Sequence, residues 1–176
     1  MKTAIHWRLR TRTLDLGQRT LVMGVVNITP DSFSDGGFFL DPEKAVAHAL
    51  DLIEEGADIL DLGAESTRPG SNAGTRDAAV SAEQEQARLL PVLEGILQAR
   101  PDAVVSVDTY KAETARAALT AGAEIINDVS GFTWDRAIAG VCAELEAGVV
   151  LAHTRGRPEE WRSQARLEPN PLMELV

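Results

Sequence analysis

Apolar runs alternate along this chain with segments whose apolar residues recur at helical spacing. The runs are short and mostly apolar, and they span 21–26, 58–62, 103–107, 124–126 and 149–151. Runs of this kind are typical of strands that are buried on both faces, as in a parallel sheet. The pattern therefore predicts five strands.

The segments between these runs carry helix signals. The first helix is predicted to begin after Asp41 as its N-cap, with Pro42 at the first helical position. The second begins at Ser81, opens with a capping-box pattern and runs to about residue 99, with a kink expected at Pro91. Two further helices are predicted, over 110–120 and between 134 and 148.

The order strand, helix, strand, helix predicts parallel strands joined by crossover helices. A short internal repeat supports this order, since "GADIL" at 56–60 recurs as "GAEII" at 122–126. Before the first unit, residues 5–10 and 12–16 predict a β-hairpin that would plug or flank one end of the sheet. We expect residues 1–176 to form a single α/β domain.

Composition and charge narrow the class of protein. A chain of 176 residues that is 44% hydrophobic can bury one substantial core. Its net charge of -10 argues against a nucleic-acid partner, because phosphate binding normally needs a basic excess. No apolar run approaches the roughly 20 residues that span a bilayer, and no signal-peptide stretch stands at the N-terminus. We therefore expect no membrane contact and a cytoplasmic location, with the single Cys142 packing in the core.

Polar residues follow each of the five predicted strands. In chain order they are Asn27, the segment "GAESTRPGS" at 63–71, Asp108 with Thr109, Asn127 with Asp128, and the residues 153–155. Any one of them could be a turn or cap residue, and we interpret Thr109, Asp128 and Ser130 in this way. The carboxyl ends of parallel strands form the ligand-binding edge, however, so Asn27, Asp108 and Asn127 are expected to converge there.

The segments at these strand ends resemble a known family. "MGVVNITPDSFSDGG" at 23–37 and "GADILDLGAESTRPGS" at 56–71 closely resemble the two signature segments of dihydropteroate synthase. The resemblance continues through 105–131 and 150–158. It implies a (β/α)8 TIM barrel that binds pterin and acts in folate biosynthesis as a transferase of the alkyl and aryl class. Such an enzyme condenses 6-hydroxymethyl-7,8-dihydropterin diphosphate with p-aminobenzoate and releases 7,8-dihydropteroate and pyrophosphate.

The resemblance also implies roles for residues of the first two strand exits. Asn27 matches the asparagine that contacts Mg2+, and its amide oxygen is a hard ligand suited to that ion. Thr67 and Arg68 match residues near the diphosphate and p-aminobenzoate, where a guanidinium can meet an oxyanion bidentately. We expect Asn27, Thr67 and Arg68 to take part in catalysis.

Further residues are implied to bind the substrates. Asp108 and Asn127 match the residues that recognise the pterin, since a carboxylate accepts N–H bonds and an amide both donates and accepts. Phe33, Asp35 and Pro69 match positions in two loops that close over p-aminobenzoate. The resemblance thus divides the expected site into a pterin part and an amine part.

Length is the main departure from the family pattern. Five strand–helix units are present, whereas the resemblance calls for eight. The last three units would supply a second pterin-binding aspartate, a lysine, and the arginine and histidine that hold the diphosphate. We therefore expect this chain to be a C-terminally incomplete barrel domain, truncated after about the fifth unit and inactive alone. The full-length form is expected to be a homodimer.

Two alternatives stay open at this point. The chain could be a non-catalytic module that binds a pterin or a partner protein at its native length. It could also be a methyltetrahydrofolate-binding methyltransferase, whose barrel recognises pterin with a similar Asp and Asn pair. The second alternative does not require "TPDSFSDGG" or "STRPGS", so the sequence favours the synthase.

Overall fold

The computed structural model describes residues 5–29, 41–65, 79–161 and 163. Their elements, in chain order, are β1 (Ile5–Arg8), β2 (Thr13–Leu16), β3 (Met23–Asn27), α1 (Pro42–Glu54), β4 (Ile59–Gly63), α2 (Ala82–Ala99), β5 (Val105–Asp108), α3 (Ala112–Thr120), β6 (Ile125–Asp128), α4 (Ala137–Glu144), β7 (Gly148–Leu151) and a short 3-10 helix (Pro158–Glu160).

Strands β3 to β7 form one parallel sheet in the order in which they occur along the chain. A helix lies between successive strands, which confirms the predicted alternation of strands and crossover helices. The strands end later than the apolar pattern predicts, because Asn27, Asp108 and Asn127 still pair in the sheet. Polar residues at the carboxyl ends of strands are thus part of the ladder and not of the loops.

Local signals start the two longer helices as predicted. The Asp41 side chain accepts the backbone N–H groups of Glu43 and Lys44, with Pro42 in the first turn. Ser81 and Gln84 form a reciprocal capping box at the start of α2. That helix continues through Pro91 to Ala99.

The four α-helices among the described residues pack on one face of the sheet. The main core consists of residues that point to this face from the strands, together with the inner faces of the helices. Representative members are Val26, Leu62, Val107 and Ile126 from the strands and Ala49, Leu93, Leu119 and Ile138 from the helices. Cys142 is buried in the same cluster, which confirms its expected packing role.

The β1–β2 hairpin covers the amino end of the opposite face. Leu9 packs there with Ile59 and Ile125, which are the first residues of β4 and β6. Glu124 ties the hairpin turn to the sheet by accepting the Thr11 backbone N–H at 2.9 Å. The predicted hairpin therefore plugs one end of the sheet and leaves the carboxyl end of this face to the polar residues.

Strands β3 and β7 are the edges of the described sheet. Val25 on β3 is 53% exposed and Leu151 on β7 is 49% exposed. None of the helices described is long and apolar enough to cross a membrane.

Candidate functional site

Four neighbouring strands align one residue each in a row at their carboxyl ends, and three of these residues are polar. Asn27 is paired with Gly63, Gly63 with Asp108, and Asp108 with Asn127. Residues that pair in register point to the same side of a sheet. Because the alternate residues Val26, Leu62 and Val107 face the helices, this row faces the opposite side. The structure thus brings together the three described residues that the sequence places at the site.

Asp61 lies one step below this row on the same face. It is 5% exposed, and its Oδ1 accepts the Ser106 hydroxyl at 2.6 Å. Its Oδ2 accepts Asn127 Nδ2 at 2.9 Å. This bond sets the orientation of the Asn127 amide, so that Oδ1 of Asn127 is left for a ligand. Sequence reasoning missed Asp61, although a carboxylate inside the otherwise apolar segment "ILDLG" was the available signal.

Asp108 differs from Asp61 because no described residue forms a hydrogen bond with its carboxylate. Its pKa is raised to about 7 by burial, and next by repulsion from Asp61 and Glu85. A strand-end carboxylate that is desolvated and lacks a donor partner is characteristic of a site that receives its donors from a ligand. Both protonation states of Asp108 are therefore populated near neutral pH.

Gly63 keeps the space beside Asp108 open. A Cβ atom at this glycine would lie 3.6 Å from Asp108 Oδ2, at ordinary contact distance. No side chain consequently stands between Asn27 and Asp108 in the row. The gap above β4 is the place where a flat ligand could lie against the sheet.

The turn that follows β6 is built around Asp128. This buried carboxylate accepts the backbone N–H groups of Ser130 at 2.7 Å and Phe132 at 2.8 Å. The Ser130 hydroxyl accepts the Thr133 backbone N–H at 3.2 Å. These contacts support the interpretation of Asp128 and Ser130 as turn residues and explain how the neighbouring Asn127 is held in place.

A buried polar group lies on the helix side of the strand ends, and we call it the Glu65 cluster. It consists of Glu65, Glu85, Thr109, Tyr110, Lys111 and Thr114. Lys111 Nζ lies 2.6 Å from Glu65 Oε2 and 3.3 Å from Glu85 Oε2. Thr109, expected to serve a local turn, accepts the Lys111 backbone N–H and also donates to Glu85. The cluster was not predicted from the sequence.

Burial and charge act in opposite directions on the ionisable groups of the cluster. Burial raises the pKa of Glu85, although Lys111 and the hydroxyl of Thr114 counteract it. Burial alone would lower the pKa of Lys111, but attraction to Glu85 and the bond to Glu65 raise it above its ordinary value. Lys111 therefore stays protonated at neutral pH.

The other predicted site residues lie outside the described residues. They are Phe33, Asp35, Thr67, Arg68 and Pro69.

Asn27 is the residue of the row that can serve as a ligand to a metal ion. Within the described ranges, no three His, Cys, Asp or Glu side chains are grouped so that they could hold one. Magnesium needs fewer protein ligands, because it usually keeps several waters and substrate phosphates. Asn27 fits this requirement, since its side chain is exposed at the end of β3 and carries an oxygen ligand.

Comparison with known proteins identifies relatives along nearly the whole chain. A family profile described as "pterin binding enzyme" matches residues 23–176. Dihydropteroate synthase of Bacillus subtilis is 45% identical over 163 residues, which cover 93% of this chain and 53% of that protein. The Clostridium beijerinckii enzyme is 43% identical over 86% of this chain and 54% of its own length.

Solved structures show the same relationship. The dihydropteroate synthase of Xanthomonas albilineans, solved with 4-aminobenzoic acid, matches with a TM-score of 0.76 and 46% identity over 88% of this chain and 53% of its own. The Yersinia pestis enzyme in a sulfonamide complex matches with a TM-score of 0.79 and 36% identity over 97% of this chain and 60% of its own. These matches confirm the resemblance read from the motifs and the α/β fold. The chain spans about half the length of the curated relatives it matches.

Proposed function

The chain belongs to the pterin-binding enzyme family, and from this premise we propose that it carries the pterin site of a dihydropteroate synthase. The observation that carries the proposal is the row formed by Asn27, Gly63, Asp108 and Asn127, in which Asp108 lacks a donor partner. The reaction would condense 6-hydroxymethyl-7,8-dihydropterin diphosphate with p-aminobenzoate. Its products would be 7,8-dihydropteroate and pyrophosphate.

The chemistry of the pterin suits the two polar residues at the ends of β5 and β6. A pterin presents adjacent N–H donors along its aminopyrimidine edge, and the Asp108 carboxylate can accept two of them. Asn127 offers its Oδ1 as a further acceptor, because Asp61 already accepts from its Nδ2. Asp108 and Asn127 would together bind one edge of the ligand, and Asp61 would orient Asn127.

Ligand binding would also change the protonation of Asp108. Donors from the pterin favour the ionised carboxylate and therefore lower a pKa that stands at about 7 in the free protein. Binding at or below neutral pH would release a proton from Asp108. The raised pKa of Asp108 supports the proposal that its hydrogen-bond donors come from a ligand.

The diphosphate leaving group would be bound at the end of β3 and by residues that follow β4. Asn27 would hold Mg2+, which when bound neutralises part of the charge of the diphosphate. Thr67 and Arg68 would contact the diphosphate and p-aminobenzoate. Phe33, Asp35 and Pro69 would enclose the amine substrate.

The proposed reaction exchanges one bond at the CH2 carbon for another. The C–O bond between the pterin CH2 group and the diphosphate breaks, and both electrons leave on oxygen. The amine nitrogen of p-aminobenzoate donates its lone pair to the CH2 carbon and then loses a proton. The protein contributes by holding both substrates in line and by binding the departing charge.

The test is an assay of the complete gene product that contains this chain. With both substrates and Mg2+, we expect dihydropteroate and pyrophosphate in equal amounts. Asp108→Asn should lower kcat/KM for the pterin substrate at least tenfold. The variant loses a charge-assisted hydrogen bond worth about 1.5 to 3 kcal/mol, and its amide N–H group then faces an N–H group of the ligand. The control Asp51→Asn changes an exposed residue of α1 and should have no effect. Pterin binding without product would favour the non-catalytic module instead.

A further inference from the structure

Asp61 and Ser106 form a buried pair beneath the row of strand-end residues. They are paired in register on β4 and β5, and both are buried. The Ser106 hydroxyl donates to Asp61 Oδ1 at 2.6 Å, and Asp61 Oδ2 accepts Asn127 Nδ2 at 2.9 Å. Because β5 lies between β4 and β6, the Asp61 carboxylate reaches across one strand to hold the Asn127 amide.

We propose that Asp61, fixed by Ser106, is a positioning residue that makes the site select a pteridine with a 2-amino group over one with a 2-oxo group. The inference rests on the proposed function, because it concerns the pterin part of that site. Asp61 acts through Asn127 and does not contact the ligand itself.

The first argument is that Asp61 allows only one orientation of the Asn127 amide. An amide has an oxygen that accepts and a nitrogen that donates, whereas a carboxylate only accepts. In the opposite orientation Oδ1 of Asn127 would face Asp61 Oδ2, and two buried acceptors would oppose each other. The carboxylate cannot turn away without losing the Ser106 hydroxyl on its other oxygen. The amide of Asn127 is therefore held in one of its two orientations.

The second argument is the presence of a charge where a neutral residue would fit. Asp61 has no ion-pair partner among the described residues, and its carboxylate repels that of Asp108. A buried carboxylate without a cation is costly. An asparagine at position 61 could form both hydrogen bonds without this cost, but it could form them with the Asn127 amide in either orientation. What the charge adds is the fixed direction of the Asn127 amide.

The third argument is the match between this fixed amide and the ligand. Nδ2 of Asn127 carries two hydrogens and Asp61 accepts one, so Oδ1 and the second N–H remain for a ligand. In a pterin the 2-amino group is a donor and the adjacent ring nitrogen N1 is an acceptor, which complements this pair. In a lumazine the 2-oxo group is an acceptor and N1 carries a hydrogen, so both contacts become repulsive. The held amide thus favours the pterin and opposes the lumazine.

Asp108 contributes to the same preference by a separate route. Its carboxylate can accept from N3–H and from the other hydrogen of the 2-amino group, and a 2-oxo group would oppose it. The described residues place no hydrogen bond between Asp108 and Asp61. A substitution at Asp61 therefore isolates the part of the selectivity that comes from Asn127.

The test compares two ligands of the complete gene product, 6-hydroxymethyl-7,8-dihydropterin and its 2-oxo counterpart, 6-hydroxymethyl-7,8-dihydrolumazine. We expect the wild type to bind the pterin about 100-fold more tightly or more, because buried polar groups are opposed by the lumazine. Asp61→Asn should reduce this ratio at least tenfold, since Asn127 can then turn over to suit the lumazine. The titrations are made at pH 8, above the pKa of about 7 of Asp108, so that its carboxylate is ionised in both proteins.

Two further variants complete the experiment. Asp61→Ala removes the acceptor that faces Asn127 and should lower the ratio in the same way, so it gives the result if Asp61→Asn does not fold. Glu85→Gln is the matched control, because it removes another buried charge that repels Asp108. The side chain of Glu85 bonds to Thr109 and Thr114 and not to Asn127, and Lys111 keeps Glu65 as its partner. Glu85→Gln should leave the ratio unchanged.

The outcomes separate this inference from the proposed function. If the wild type binds neither compound and makes no dihydropteroate, the proposed function fails and the inference fails with it. If the wild type makes dihydropteroate but Asp61→Asn keeps the wild-type ratio, only the inference is overturned. An equal loss of affinity for both compounds would likewise overturn it, because it would show a general structural role.

Discussion

Replacing Asp108 by asparagine should stabilise the free protein while it weakens ligand binding. Asp108 has a pKa of about 7, because it is buried and faces several carboxylates. The ordinary pKa of an aspartate is about 3.9, so the folded state holds this proton more tightly than the unfolded state does. Between these two values the folded protein binds more protons, and the free energy of unfolding therefore falls as the pH rises.

The magnitude follows from the same two pKa values. The environment of Asp108 lowers the free energy of unfolding by on the order of 1.5 kcal/mol at pH 5, where the carboxyl is ionised only in the unfolded state, and by about 4 kcal/mol at pH 8, where it is ionised in both states and the cost is complete. Asparagine cannot ionise, so the cost disappears at every pH. The stability gained by Asp108→Asn should consequently be about 2.5 kcal/mol larger at pH 8 than at pH 5.

The measurement is urea unfolding of the 176-residue chain at pH 5, 6, 7 and 8, followed by circular dichroism. Taking the difference between the two pH limits removes any constant contribution of the asparagine itself. Asp51→Asn on the exposed side of α1 is the matched control and should show no such trend. A stability difference between Asp108→Asn and the wild type that is the same at pH 5 and pH 8 would refute the reasoning.

Three other predictions test the geometry of the site. Gly63→Ala should fold normally, because its Cβ would lie 3.6 Å from the Asp108 carboxylate, but a calorimetric titration should show pterin affinity reduced about tenfold or more. Gly131→Ala should destabilise the fold by about 1 to 3 kcal/mol in urea unfolding, since φ is +60° there and the new Cβ would lie 2.6 Å from the Ala152 carbonyl oxygen. Pterin affinity should rise as the pH increases towards and through about 7 and then level off, because the ligand prefers ionised Asp108; titrations at several pH values that give constant affinity would argue against Asp108 as the pterin acceptor.

The fold could be predicted from the sequence because its signals are local. Apolar runs separated by helix-period segments indicate a parallel sheet, and Asp41 and Ser81 mark the helix starts that the structure contains. The strand ends were less accurate, since Asn27 and Asp108 are polar and yet still pair with neighbouring strands. Sequence patterns report burial, whereas strand length depends on the partner strand.

The polar partners could not be predicted in the same way. The bond between Asn127 and Asp61 joins residues 66 positions apart, and it depends on the register of three strands. The bond between Lys111 and Glu65 spans 46 positions and likewise requires the assembled sheet. The sequence indicated which side chains stand at the strand ends, but only the register shows which of them orient the others.

The most direct test of the account is a pair of titrations on the complete gene product and two variants. Each protein is titrated with 6-hydroxymethyl-7,8-dihydropterin alone and with pyrophosphate and Mg2+ alone. We predict that Asp108→Asn loses at least tenfold in pterin affinity and keeps its affinity for pyrophosphate, and that Asn27→Ala does the reverse. Equal losses for both ligands in both variants would contradict the division of the strand ends into a pterin site and a leaving-group site.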